Sequence, residues 1–213
     1  MRTTSTMLVS RRLLLAGASS LALAGCSATD LLSPPAAPKL YVLRTHPAAM
    51  PGPKVPWALS ILTPDAAGGL DTDRIAIFRP PATLDYYADA AWPDQLPALV
   101  QNAIQQAFEA SGRIDKVAPD GDAAHADYVL ATELRDFEAR YAQPDGIPTA
   151  VVRIQARLLN ARTRDVVDNF DASEEAPATQ NTVDSAVEAL DTALGRTLTQ
   201  IVTWALSAPP PAK

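Results

Sequence analysis

Few residues in this chain are of types that do chemistry. Cys26 is its only cysteine, and it stands directly behind Leu23-Ala24-Gly25. Small residues at Ala24 and Gly25 let an extended chain enter a protease groove, and a thiol supplies a nucleophile that hydroxyls do not match. No disulfide is available within the chain. His46 and His125 fall in expected loops, and neither lies in a spacing that metal sites use. Asp71 and Asp73, and the pair Glu174-Glu175, lack a glycine-containing calcium-loop spacing and read as turn and solvated-edge charges. There is no Gly-x-Ser-x-Gly elbow, no phosphate-binding glycine loop and no His-Glu-x-x-His. The expectation is a non-enzymatic protein with no catalytic residue, no metal and no dissociable cofactor.

Cys26 takes its meaning from what precedes it. A polar start with Arg11-Arg12 leads into an apolar run from Leu13 to Ala24, the layout of a secretory signal. A spanning helix needs about 20 apolar residues, and this run is shorter and interrupted by Gly17, Ser19 and Ser20. Leu23-Ala24-Gly25-Cys26 resembles the lipobox of bacterial lipoproteins. That resemblance implies cleavage between Gly25 and Cys26, diacylglycerol on the Cys26 sulfur and an acylated new N-terminus. Ser10-Arg11-Arg12-Leu13-Leu14-Leu15 fits a twin-arginine export signal as well as an ordinary basic leader, and both readings stay open.

Residues 1–25 hold three of the 18 basic residues and no acid, so the chain from Cys26 on carries 15 basic against 24 acidic residues, a formal −9. Such a surface repels phosphate backbones, which argues against nucleic acid as a partner. It also argues against electrostatic docking on anionic lipids. Attachment must come from the acyl chains, at ~0.8 kcal/mol per buried CH₂.

The expected organisation is a signal peptide over 1–25, a lipidated proline-rich tether over 26–38, one domain over 39–206 and a disordered proline-rich tail over 207–213. Within the domain, 40–44, 57–62 and 75–78 read as strands, with Pro64 and Gly68-Gly69 as turn signals. Leu84 to Trp92 reads as a strand running into a loop. Asp94 is positioned to cap a helix over about 95–111, whose stripe is Leu96, Val100, Ile104, Ala107 and Phe108 and whose stop is Gly112. In 150–158 the even positions are apolar, so one face is buried and one wet. Tyr128 to Tyr141 changes phase between Leu134 and Phe137, which a bulge near Arg135 explains. A third strand over 166–172 completes an antiparallel meander. A long helix over about 182–206 opens at Asn181, with Asp184 as its capping-box partner, and lays Val183, Val187, Leu190, Leu194, Leu198, Ile201 and Ala205 on the sheet. The fold class is therefore α+β: one domain with a mostly antiparallel or mixed sheet against two main helices. Tyr86, Tyr87 and Trp92 sit within seven residues of each other. Exposed, they are partner-binding candidates; buried, they are core.

Further residues carry a family likeness: Tyr41-Val42-Leu43, Arg74-Ile75, Tyr86 to Trp92, Leu96-Pro97, Ser111-Gly112-Arg113, Ala126 to Leu130 with Phe137, and a last helix ending at Trp204. In this order behind a lipobox, the chain resembles the ABC-type transport auxiliary lipoproteins, a family that includes paraquat-inducible protein C. It departs at Ala91, where an arginine is expected before the tryptophan. The resemblance implies a domain facing the periplasm and tethered to the outer membrane. Its implied partners are an ABC permease, its ATPase and a mammalian-cell-entry-type protein, with lipid, above all phospholipid, as cargo. Ser27 after the lipidated cysteine agrees with that destination by analogy with lipoprotein sorting, and the family also allows a homo-oligomeric ring. The alternative is a structural or assembly lipoprotein of another outer-membrane complex.

Overall fold

The computed structural model describes residues 37–44, 49–119 and 126–210. In chain order the elements are β1 Lys39–Leu40, β2 Leu59–Ile61, β3 Asp65–Ala66, β4 Arg74–Arg79, β5 Thr83–Ala91, α1 Leu96–Ser111, β6 Val117–Pro119, β7 Tyr128–Arg140, β8 Thr149–Asn160, β9 Val166–Pro177 and α2 Val183–Ala205. All nine strands form one mixed sheet.

The sheet is organised by β7. Along one edge it pairs antiparallel with β8 over its whole length, and β8 pairs antiparallel with β9. This is the meander expected from the period-two pattern, and β9 continues to Pro177 rather than stopping at 172. Along its other edge β7 takes three parallel partners in tandem: β2 at 128–130, β3 at 133–134 and β4 at 138–140. Strand β6 extends the sheet beside β2, while β5 and then β1 extend it beside β4. The β7–β8 register shifts between Leu134 and Asp136. One extra residue, Arg135, brings Phe137 and Ala139 back to the face that holds Leu130 and Leu134.

Ala150, Val152, Ile154, Ala156 and Leu158 of β8 are buried and join the core that includes residues of both helices. Helix α2 contributes Leu190, Leu194, Leu198 and Ile201 from one stripe, all essentially inaccessible. At about 1.5–3 kcal/mol for each fully buried large aliphatic side chain, this stripe is a main source of stability. Helix α1 supplies Leu96, Val100, Ile104 and Phe108. It ends at Gly112 with φ of 67°, a left-handed cap that costs glycine nothing. Gly69 holds a φ of 90°, where an L side chain is strained, and an added Cβ would also displace the tip of Leu84.

Three expectations need correction. Asp94 does not cap α1; the N-cap is Gln95, without a side-chain bond. The donors a cap would serve are already spoken for: Leu96 N–H binds Thr72 O, Ala98 N–H binds Gln95 O, and Pro97 has none. Asn181 does not cap α2; Thr182 accepts from Ser185 N–H instead, because the Asn181 side chain is recruited by Tyr141. The first strand is two residues long rather than five, since only Lys39 and Leu40 are in register with β5, and the Tyr41 N–H bond to Ala91 O closes the pairing. Past α2, the Pro209 carbonyl accepts from the Tyr128 hydroxyl at 2.6 Å. The Tyr128 ring is buried against Trp57, and its hydroxyl needs a partner. Residues 26–36 of the expected tether and 211–213 of the tail lie outside the described residues.

Candidate functional site

Gly25 and Cys26, like His46 and His125, lie outside the described residues, so the site that can be built here is a surface. Among the described residues no group of three or more His, Cys, Asp or Glu is placed to hold a metal ion. Asp73 serves its turn, its carbonyl accepting from Trp92 N–H at 2.7 Å. Glu174 and Glu175 are neighbours on β9 and therefore point to opposite faces. Glu174 takes a hydrogen bond from Gln200 on α2, and Glu175 borders a hollow on the far side of the sheet. No helix of the described residues is long and apolar enough to cross a membrane.

The structure divides the aromatic trio. Trp92 is 2% exposed and packs edge-on against Phe137 at 6.2 Å between centroids, so it belongs to the core and not to a docking surface. Tyr86 and Tyr87 are half-buried and diverge. Tyr86 donates to Gly69 O at 2.9 Å, with the Arg74 guanidinium 4.0 Å over its ring. Tyr87 turns to the small cluster of Ile77, Ala139, Tyr141 and Ala186. As neighbours on β5 they face opposite sides of the sheet, and Trp92 is set apart from both by an irregularity in the same strand. The register with β4 shifts between Arg74 and Ala76, which lets β5 bulge between Tyr86 and Ala91, with Asp89 at a φ of 53°.

The Tyr87 and Tyr141 hydroxyls are 2.9 Å apart, and Tyr141 donates to Asn181 Oδ1 at 2.9 Å. Asn181 Nδ2 donates in turn to Asp145 O. Burial, with the Tyr141 hydroxyl bond second, pushes the pKa of Tyr87 far up, so the phenol stays protonated. This relay ties β5, β7, the β7–β8 turn and the start of α2 together. Tyr141→Phe removes the middle hydroxyl and is expected to cost about 1–3 kcal/mol, read from denaturant midpoints; an unchanged midpoint would mean the relay contributes nothing.

The sheet face away from the helices is charged along its middle. Arg135 reaches Gln155 at 2.5 Å and lies near Glu133 and Asp171. Arg153 pairs with Asp136 at 2.6 Å, and Arg140 with Glu138 at 2.6 Å. Glu138 is 4% exposed, and burial raises its pKa above the ordinary 4.5 against the opposing pull of Arg140. A carboxyl whose pKa is raised on folding stabilises most when protonated, and that share is lost as pH rises through the folded value. Glu138→Gln is therefore expected to gain stability relative to the wild type as pH climbs from 4.5. Thermal midpoints of both proteins across that range check this, and a constant difference would refute it.

At the end of this face, where β4 and β7 finish and β8 begins, lies a hollow of about 300 Å³. Phe78, Pro80, Pro81, Tyr141, Ile147 and Val151 supply its apolar lining, with Arg140 and Glu175 beside them. The Arg140 guanidinium lies 5.3 Å over the Phe78 ring and Arg79 5.0 Å over that of Tyr141. Ile147 is 57% exposed, Leu84 40%, and Pro80 and Pro81 are exposed. The sequence reading missed this hollow. Its signals were Phe78-Arg79-Pro80-Pro81 at a strand end and an isolated Ile147 among turn residues.

Residues 41–202, from just after β1 almost to the end of α2, match the family described as ABC-type transport auxiliary lipoprotein component. The chain belongs to the ABC-type transport auxiliary lipoproteins. Its fold is similar to the crystal structure of protein XCC0632 from Xanthomonas campestris, with a TM-score of 0.74 and 28% identity over 79% of this chain and 94% of that one. It also resembles the crystal structure of an uncharacterized protein, with a TM-score of 0.62 and 15% identity over 80% of this chain and 99% of that one, a likeness of fold alone. This auxiliary lipoprotein is 28% identical over 176 residues to protein bll6063 of Bradyrhizobium diazoefficiens, covering 82% of this chain. It spans 46% of that relative's length.

Proposed function

We propose that this protein is a lipid-anchored, periplasm-facing component of the outer membrane that serves an ABC-type transporter of lipids. Its partners in this reading are the permease and ATPase of that transporter and a mammalian-cell-entry-type protein, and phospholipid is the cargo. The observation that carries the proposal is the family match over 41–202, which spans nearly all of the described fold and names a transport auxiliary component. The lipobox-like Leu23-Ala24-Gly25-Cys26 supports the anchor, with diacylglycerol and an N-acyl chain on Cys26 as its covalent lipid, and Ser27 supports the outer-membrane destination. The role is that of a docking or structural element, without catalysis.

The test is co-purification. Tagged protein taken from detergent-solubilised envelope is expected to bring down a protein with a mammalian-cell-entry domain, together with a permease and its ATPase. Repeated preparations that lack all three, while the tagged protein is intact, would overturn the assignment.

A further inference from the structure

We propose that the end of the domain bearing the β4–β5 and β7–β8 turns rests on a phospholipid bilayer, with Ile147, Leu84 and Pro81 seated among the headgroups. The proposal builds on the reading that Cys26 carries the anchor.

The chain's own direction argues for it. Strand β1 runs parallel to β5, with Lys39 opposite Ala90 and Leu40 opposite Ala91. Strand β5 starts at the Pro80-Pro81 turn, so the chain preceding Lys39 is aimed toward that turn. The β7–β8 turn lies at the same end, because Phe78 pairs with both Leu84 and Arg140, and Arg140 pairs with Thr149. The start of α2 lies there too, held by Tyr141 and Asp145 through Asn181. Lys39 meets Asp184 in the first turn of α2 at 2.6 Å, which fixes where the tether leaves the domain.

Length argues the same way. From Cys26 to Lys39 a polyproline-like chain reaches about 40 Å at ~3.1 Å per residue. The opposite end of the sheet, with Val166 and Val167, is a further ~35 Å away along α2 at ~1.5 Å per residue. Placing that end on the membrane would consume nearly the whole tether, whereas the near end lies only about 16 Å from Leu40, which is level with Ala91 and Arg74, five residues of β4 from Arg79 at ~3.3 Å each.

Composition then fits the contact. The near end exposes Ile147, Leu84, Pro80 and Pro81 around an apolar hollow. Arg79 and Arg140 lie over the rings of Tyr141 and Phe78 at the hollow, bringing positive charge to this end, that of Arg140 shared with Glu138. Asp85, Asp145 and Glu175 occupy the same end, so the surface suits zwitterionic headgroups better than anionic ones.

The full lipidated chain carrying Ile147→Trp, reconstituted in phosphatidylcholine vesicles with brominated acyl chains, tests this. The added fluorescence is expected to be largely lost, while that of Val166→Trp at the far end is retained. Vesicle flotation is run on the same samples. Protein that floats but shows no quenching at Ile147→Trp, or equal quenching at both positions, overturns the contact and leaves the anchor standing; protein that does not float overturns both. If the substitution lowers the thermal midpoint, hydrogen exchange of the unsubstituted lipidated protein replaces it. Vesicles should then slow exchange in 80–84 and 142–148 and not in 160–167. The same slowing in concentrated Cys26→Ser protein without lipid would make this end a face between copies and overturn the proposal.

Discussion

Trp92→Ala is expected to lower the unfolding free energy by about 3–5 kcal/mol, the range for removing a large aromatic from a packed core. Trp92 is 2% exposed, lies edge-on to Phe137, and its backbone N–H holds Asp73 O at 2.7 Å. Domains of this size have only about 5–15 kcal/mol in total, so the variant would lose much of its margin and accumulate poorly. Equilibrium denaturation by urea measures the loss. A drop under about 1 kcal/mol, outside that range, would mean the site is not packed as described. The result also guards against a misreading: a binding defect in Trp92→Ala would report folding. Tyr86→Phe and Tyr87→Phe, which keep the rings, are the variants that probe a surface role.

The second large effect is all-or-none. Cys26→Ser is expected to abolish incorporation of labelled acyl chains and to leave either an unprocessed precursor or a soluble form, because a serine hydroxyl does not form the thioether. With a formal −9 on the chain from Cys26 on, little electrostatic attraction remains to hold it on anionic lipid. Acyl labelling at the wild-type level in Cys26→Ser would end the lipobox reading. A labelled protein that still sits in the wrong membrane would leave the anchor intact and remove only the outer-membrane assignment.

The elements most legible in the sequence are those whose pairing is local. The alternation in β8 and the turn at 160–164 give the meander, and the phase change between Leu134 and Phe137 marks the bulge at Arg135. The stripes of α1 and α2 were equally plain, since 3.6-residue periodicity needs no partner to be seen. The three tandem strands on the other edge of β7 were not legible. β3 is two residues long, and its place depends on Glu133 and Leu134, nearly seventy residues away. Helix caps failed for the same reason: Thr72 and Tyr141, distant in sequence, decided what Asp94 and Asn181 would do. The hollow was invisible because it takes residues from β4, β7, β8, β9 and two turns. The aromatic segment could be located but not oriented, as the β5 bulge between Tyr86 and Ala91, which sets Trp92 relative to the tyrosines, leaves no periodic trace.

The parallel arrangement around β7 also sets an order of events. A nascent chain that has reached Pro119 holds the β4–β5 hairpin, β1 beside it, and the three-residue pairing of β2 with β6. Nothing yet joins these pieces into one sheet, because the strand that aligns β2, β3 and β4 is still to come. Long-range pairing of this kind carries a high contact order and places folding toward the slower, millisecond-to-second end for small domains. During vectorial synthesis or export the strands that emerge first thus wait for β7 before they join one sheet, and the early part of the chain must stay free of misplaced partners until residue 140 has arrived.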